Sequence, residues 1–108
     1  MENVNDIHTQ CDGCAVAKTL KIVGSKWTML LIHNIFEGKN RFGELQRALP
    51  GISPKTLTQR LRELEQHGIV SKKVYAEVPL HIEYSLTEKG KTLRGVIRSL
   101  ENWGNKSE

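Results

Sequence analysis

The sequence predicts a mainly α domain with one small β-hairpin, laid out as a winged helix-turn-helix, and three observations predict it. Two short amphipathic segments, one carrying Leu45 and Leu49 and the next Leu57, Leu61 and Leu64, are separated only by Pro50-Gly51-Ile52-Ser53. The apolar period changes from helical to alternating at Ile69, and alternation resumes at His81 after Glu77-Val78-Pro79-Leu80. Between Arg41 and Lys73 seven cations stand against three acids, so this block holds the whole excess of a chain with formal net charge +4. Two helices about a tight turn, then a hairpin, all in a basic segment, is an arrangement suited to a polyanion.

Each element has its own punctuation. Val16, Leu20 and Val23 recur at helical spacing from Ala15 until Gly24-Ser25 stops them. Ser25 is placed to cap a second helix through Trp27, Leu30, Leu31 and Ile35, apolar on most sides and ending at Gly38, so it is expected to be the buried central helix. Asn40-Arg41-Phe42 reads as a short extended piece before a helix with Phe42, Leu45 and Leu49, which Pro50-Gly51 terminates. Ser53 then caps a helix with Pro54 in its first position and Gly68 as a left-handed stop. Ile69–Tyr75 and His81–Leu86 read as antiparallel strands. Thr87 caps a last helix expected to run unbroken to about Trp103. The expected organisation is a flexible tail over residues 1–13, one domain over 14–105 and a short tail over 106–108.

Length and composition narrow the function. At 108 residues, with 38% apolar and 26% charged side chains, the chain has the makeup of one soluble domain with a real core. No apolar run approaches the ~18 residues of a membrane span, and Met1–Gln10 lacks the basic-then-apolar look of a secretion signal. Two cysteines make no disulfide framework, so a reduced, cytoplasmic setting is expected. No Ser/His/Asp set, paired carboxylates or Gly-rich phosphate loop occurs, and no cofactor is implied.

The chemistry sits on the helix that starts at Pro54. With Leu57 as the origin, Leu61 and Leu64 lie within about 40° on the inner side, while Lys55, Gln59, Arg62 and Gln66 point the other way and Thr56 and Glu63 flank them. Arg pairs bidentately with guanine, Gln with adenine, and the Thr methyl touches thymine, so this face can read base edges. Ser53 and the first N–H groups of the helix suit a phosphate. Arg41, Arg60, Lys72, Lys73 and His81 complete the expected contact set, the last three placing charge on a hairpin that can straddle the backbone as a wing. The same residues also fit a solvated basic surface with lysines guarding a sheet edge.

Several segments carry a family likeness. Gly24-Ser25-Lys26-Trp27, Arg41-Phe42-Gly43-Glu44-Leu45, Pro50-Gly51-Ile52-Ser53-Pro54-Lys55-Thr56-Leu57, Leu61-Arg62-Glu63-Leu64-Glu65, Val74-Tyr75-Ala76-Glu77-Val78-Pro79 and Glu83-Tyr84-Ser85-Leu86-Thr87-Glu88-Lys89-Gly90 occur in order. Together they resemble the HxlR-type winged-helix regulators, bacterial and archaeal relatives of the MarR group, from Cys14 to about Trp103. The resemblance implies a homodimer that binds double-stranded DNA sequence-specifically and represses or activates a nearby gene. It places the recognition helix at Ser53–His67, the wing at Val74–Ile82, and dimerisation on Val16–Val23 and Leu93–Trp103. The residues agree: Leu93, Val96, Ile97, Leu100 and Trp103 make a broader apolar face than a terminal helix needs alone, with Val16 and Leu20 as its counterpart. A two-fold dimer is expected to read a near-palindrome with half-sites about 10 base pairs apart or a multiple.

The resemblance also implies that Cys14 senses oxidants or electrophiles. This chain has Ala15 where family members often have Pro, which alters the local turn rather than the sulfur chemistry. Cys14 stands at the start of the first helix, where the macrodipole favours a thiolate; Asp12 opposes this and Lys18 supports it. Cys11 is spaced to resolve an oxidised Cys14. Three alternatives stay open. His8, Cys11 and Cys14 could contribute to a metal-responsive site, although a closed structural zinc site needs a fourth ligand. A Cys11-x-x-Cys14 thiol oxidoreductase would normally place its motif after a strand, and none is predicted there. A signal other than thiol oxidation, such as a small-molecule inducer, also fits.

Overall fold

The computed structural model describes residues 13–107, which hold six helices and a two-stranded sheet. In chain order these are α1 (Ala15–Val23), α2 (Lys26–Phe36), α3 (Phe42–Ala48), α4 (Pro54–Gln66), β1 (Val70–Tyr75), β2 (His81–Leu86), α5 (Glu88–Lys91) and α6 (Arg94–Lys106). The helix-turn-helix pair is α3 and α4, and the β1–β2 hairpin is the wing. The mainly α winged architecture expected from the sequence is the one found. No helix among the described residues is long and apolar enough to cross a membrane.

The core gathers around α2. Leu31, Ile32 and Ile35 are buried there, against Leu45 and Leu49 from the α3 region and Leu57, Leu61 and Leu64 from α4. Each fully buried leucine contributes roughly 1.5–3 kcal/mol of transfer free energy, so the three-leucine stripe of α4 is what fixes its rotation and therefore which side chains face outward. Both ends of α4 are closed as its sequence demands. Ser53 Oγ accepts from the Thr56 N–H at 3.0 Å. At the other end Ile69 N–H donates to Leu64 C=O, Gly68 N–H donates to Glu65 C=O, and Gly68 takes φ +72°.

The strands pair antiparallel from Val70↔Leu86 to Tyr75↔His81. Ile69 belongs to the turn rather than to the strand, and Phe42 is the first residue of α3 rather than part of the extended piece. Asn40 is tied to the wing, because the Tyr84 N–H donates to Asn40 C=O at 2.9 Å.

One expected element is corrected. The terminal helix is not continuous: α5 stops at Lys91, and Thr92-Leu93 form a turn before α6. The Thr92 hydroxyl donates to Lys89 C=O, competing locally with the helical ladder, and the Thr92 and Leu93 N–H groups reach back three residues instead of four. The backbone of α5 is pinned at Gly90, where an added Cβ would overlap the Ile69 carbonyl oxygen. The turn redirects α6 so that Ile97 enters the core while most of the helix runs free. The molecule is accordingly elongated, 61 × 32 × 28 Å with a radius of gyration of 16.3 Å, against about 13 Å for a compact domain of this length.

Candidate nucleic-acid interface

With its leucines buried, α4 presents Lys55, Thr58, Gln59 and Arg62 together along one exposed, shallow groove. Lys55, Gln59 and Arg62 are where the helical projection put them. Thr56 is not: it is half-buried, and its hydroxyl accepts from Ser53 Oγ at 3.0 Å, so Ser53 and Thr56 build the cap of the helix together. Thr58, which the sequence reading passed over, takes the outward threonine place. It sits about 100° from Leu57, within the same polar arc as Arg62. Arg60 is also off this face. Its Nη1 lies 2.8 Å from Glu63 Oε1, its Nε is buried without a hydrogen-bond partner, and its side chain is 26% exposed.

On the wing, strand alternation sends the neighbouring lysines to opposite faces. Lys72 shares a face with Val70 and Val74, opposite Tyr84, whose ring is buried. Burial, and the nearby Glu65 charge, push the Tyr84 phenol above its ordinary range. Lys73 belongs to the outer face. There it lies opposite Glu83 and over the Tyr75 ring, which stacks on His81 at 4.6 Å between centroids. His81 Nε2 is 3.5 Å from Glu83 Oε2. The tip, Ala76 to Leu80, is exposed throughout and has Glu77 as its one charge, so the cations stand at the sides and base of the wing.

Between the base of the wing and α3 lies an open cleft of about 520 Å³ that brings Arg41, Arg47 and His81 together above Phe42, Leu80 and Ile82. Glu44 is in the same place, but its carboxylate is turned to the backbone. Oε1 accepts from the N–H groups of Asn40 and Arg41, each at 3.1 Å. Those two bonds, helped by the Arg41 and Arg47 charges, hold the Glu44 carboxyl below its usual range. The cleft is therefore cationic despite its acid. Arg47 was missed by sequence reasoning; its only signal was membership of the basic segment, because the wing wall that completes the cleft arrives 33 residues later.

Cys14 is the N-cap of α1, its Sγ accepting from the Ala17 N–H at 3.4 Å on an exposed surface. Cys11 and His8 lie outside the described residues. Of the expected dimer residues, Val16 (67%), Leu20 (58%), Val96, Leu100 and Trp103 (72%) are exposed. Ile97 is not available as expected: it is buried in its own domain, with Leu93 half-buried beside it. The apolar arc of α6 is wide enough for both, its inner edge docking on α2 and its outer edge left in solvent.

Comparison with known proteins matches residues 22–108 to the HxlR-like helix-turn-helix family. The HTH-type transcriptional regulator YdeP of Bacillus subtilis is 45% identical over 95 residues, covering 88% of this chain and 74% of that one. Among solved structures, the redox regulator HypR in its oxidized form superposes with a TM-score of 0.83 at 43% identity, covering 88% of this chain and 98% of that one. The reduced form of the transcriptional regulator YodB from B. subtilis gives 0.75 at 37% identity, over 87% and 93%.

Proposed function

Since the chain belongs to the HxlR-like helix-turn-helix family of transcriptional regulators, we propose that it works as a cytoplasmic homodimer reading a near-palindromic operator and switched by oxidation at Cys14. The observation that carries the first half is the outward face of α4. A helix rotated by three buried leucines presents Lys55, Thr58, Gln59 and Arg62 as one contiguous row. These are side chains whose donors and acceptors match base edges in a major groove. Arg41, Arg47, Lys72, Lys73 and His81 then take phosphates on either side, fixing register rather than sequence. The partner is double-stranded DNA, and the activity is binding rather than catalysis.

The homodimer is supported by what the terminal helices leave uncovered. The nine-residue α1 buries only Val23 in its own domain, and isolated helices under about 12–15 residues are marginal in water. Val16 and Leu20 on α1, with Val96, Leu100 and Trp103 on α6, give the two-fold partner an apolar face to cover.

The switch is supported by the exposed, helix-capping Cys14 and by likeness to HypR and YodB; HypR is described as a redox regulator, and YodB has been solved after diamide treatment. In the reaction two thiols lose two electrons and two protons to the oxidant and form one S–S bond. The second thiol is Cys11 of the same chain or a cysteine of the other subunit. The test is fluorescence anisotropy of reduced protein on DNA from upstream of its own and neighbouring genes, repeated after diamide. Operator affinity that changes on oxidation in the native protein and stays fixed in Cys14→Ser supports the switch. Affinity indifferent to diamide removes it and leaves the regulator with another inducer.

A further inference from the structure

A second cleft, on the opposite side of β2 from β1, has no part in the DNA face. It measures about 410 Å³ and opens where the end of α2, the outer edge of β2 and the α5–α6 turn meet. Ile35, Phe36 and Leu86 give it an apolar part, Asn40, Tyr84 and Ser85 a polar one, and its charged groups are two cations, Lys91 and Arg94, with no acid in the lining. The Arg94 guanidinium lies over the Phe36 ring, 4.5 Å from its centroid. A guanidinium held beside a ring in this way can still fork its N–H groups onto a carboxylate. Lys91 Nζ has Glu88 Oε2 at 3.3 Å, but that carboxylate is 94% exposed and screened by water, so the pair is a weak competitor for an incoming anion.

We propose that this cleft binds a small organic carboxylate with a flat apolar body, the carboxylate on Arg94 and Lys91 and the body against Phe36, Ile35 and Leu86. The site joins two parts of the domain. Arg94 opens α6, which bears the apolar face assigned to the dimer, and Leu86 closes β2, which carries the wing. An occupant bridging them changes how the wing is set relative to α6 and hence operator affinity; this coupling rests on the DNA-binding function proposed above, whereas the binding itself does not.

The probe is sodium benzoate, titrated at constant ionic strength into the full-length native protein and followed by amide chemical shifts. Saturable shifts centred on Phe36, Leu86 and Arg94 are expected. Affinity should fall about tenfold or more in Arg94→Gln, as for loss of a charge-assisted bond, fall also in Lys91→Gln, and hold in Arg98→Gln, an exposed cation outside the cleft. All of these positions are on the surface, so equal melting temperatures certify the variants. Shifts that fail to saturate, or that are the same in Arg94→Gln as in the native chain, overturn the site. Operator affinity is measured with and without benzoate. A benzoate-dependent change abolished by Arg94→Gln supports the coupling, and saturation of the cleft with unmoved operator affinity overturns it. A protein that binds no operator at all refutes the DNA reading, while the shift titration still decides the site.

Discussion

The Tyr84 N–H donates to the Asn40 carbonyl at 2.9 Å, joining the wing to the residue that precedes the helix-turn-helix. Next to that bond, Asn40 and Arg41 give their own N–H groups to Glu44. The cleft lined by Arg41, Arg47 and His81 is thus built on a short chain of hydrogen bonds, one between backbones and two to the Glu44 carboxylate, which sets the wing beside α3.

Glu44 gives that junction a pH dependence. Its carboxyl is held below the ordinary value by backbone N–H groups, so the folded state binds its proton less readily than the unfolded state. The stabilisation is complete above the usual glutamate range and is lost as pH falls through the lower folded value. Glu44→Gln should flatten the acid limb of a plot of stability against pH and leave the neutral region nearly level. Urea unfolding from pH 7 to pH 3 reads this directly. An unchanged acid limb would show that the bonds from Asn40 and Arg41 to Glu44 carry no proton linkage.

On the proposed function, the α4 side chains divide into readers and supports. Gln59→Ala and Arg62→Ala should each weaken operator binding by about 1–3 kcal/mol and relax base preference where they reach. Arg60→Ala should act mainly on the melting temperature, since its guanidinium is spent on Glu63. Competition anisotropy with single-base operator variants, set beside thermal melts, separates the two classes; Arg60 behaving as a reader would contradict the placement.

Lys72 and Lys73 face opposite sides of the hairpin. Their alanine variants should therefore be unequal, one lowering the salt slope of DNA binding by about 1 and the other by less. Identical slopes would mean that the wing lies on DNA edge-on.

Gly90→Ala is expected to destabilise the fold by about 1–3 kcal/mol, the usual range for overpacking. The new methyl group would press on the Ile69 carbonyl, which already accepts from the Thr87 N–H and cannot swing away. A melting temperature within error of the native value would show that α5 can slide.

Leu100→Glu and Trp103→Ala alter exposed side chains, so helix content should be unchanged while sedimentation shows monomers and operator affinity collapses. Retention of a dimer would move the interface elsewhere.

Much of the fold was legible in the sequence because its signals are local. Ser53, Pro54 and Gly68 announce both ends of α4, and the leucine spacing fixes its buried side before any partner is known. What escaped depends on contacts between distant residues. The break between α5 and α6 comes from Gly90 meeting Ile69 and from the Thr92 hydroxyl, neither of which interrupts the helical pattern. Ile97 and Val96 are indistinguishable on a helical projection until α2 covers one of them. Arg47 joins the cleft only when the wing folds beside it, and the drawing of Thr56 into the cap is a contact that a helical projection does not show, whereas the outward angle of Thr58 is local and legible.

The central claim is that the outer face of α4 reads DNA sequence, and one titration addresses it. Labelled DNA from upstream of the protein's own gene is bound across a range of salt concentrations, beside a scrambled duplex of equal composition, by the native protein and by Arg62→Ala. The expected result is a steep salt slope, preference for the native fragment of at least about a thousandfold, and loss of much of that preference in the variant. Equal affinity for both duplexes, or a preference untouched by Arg62→Ala, would contradict it.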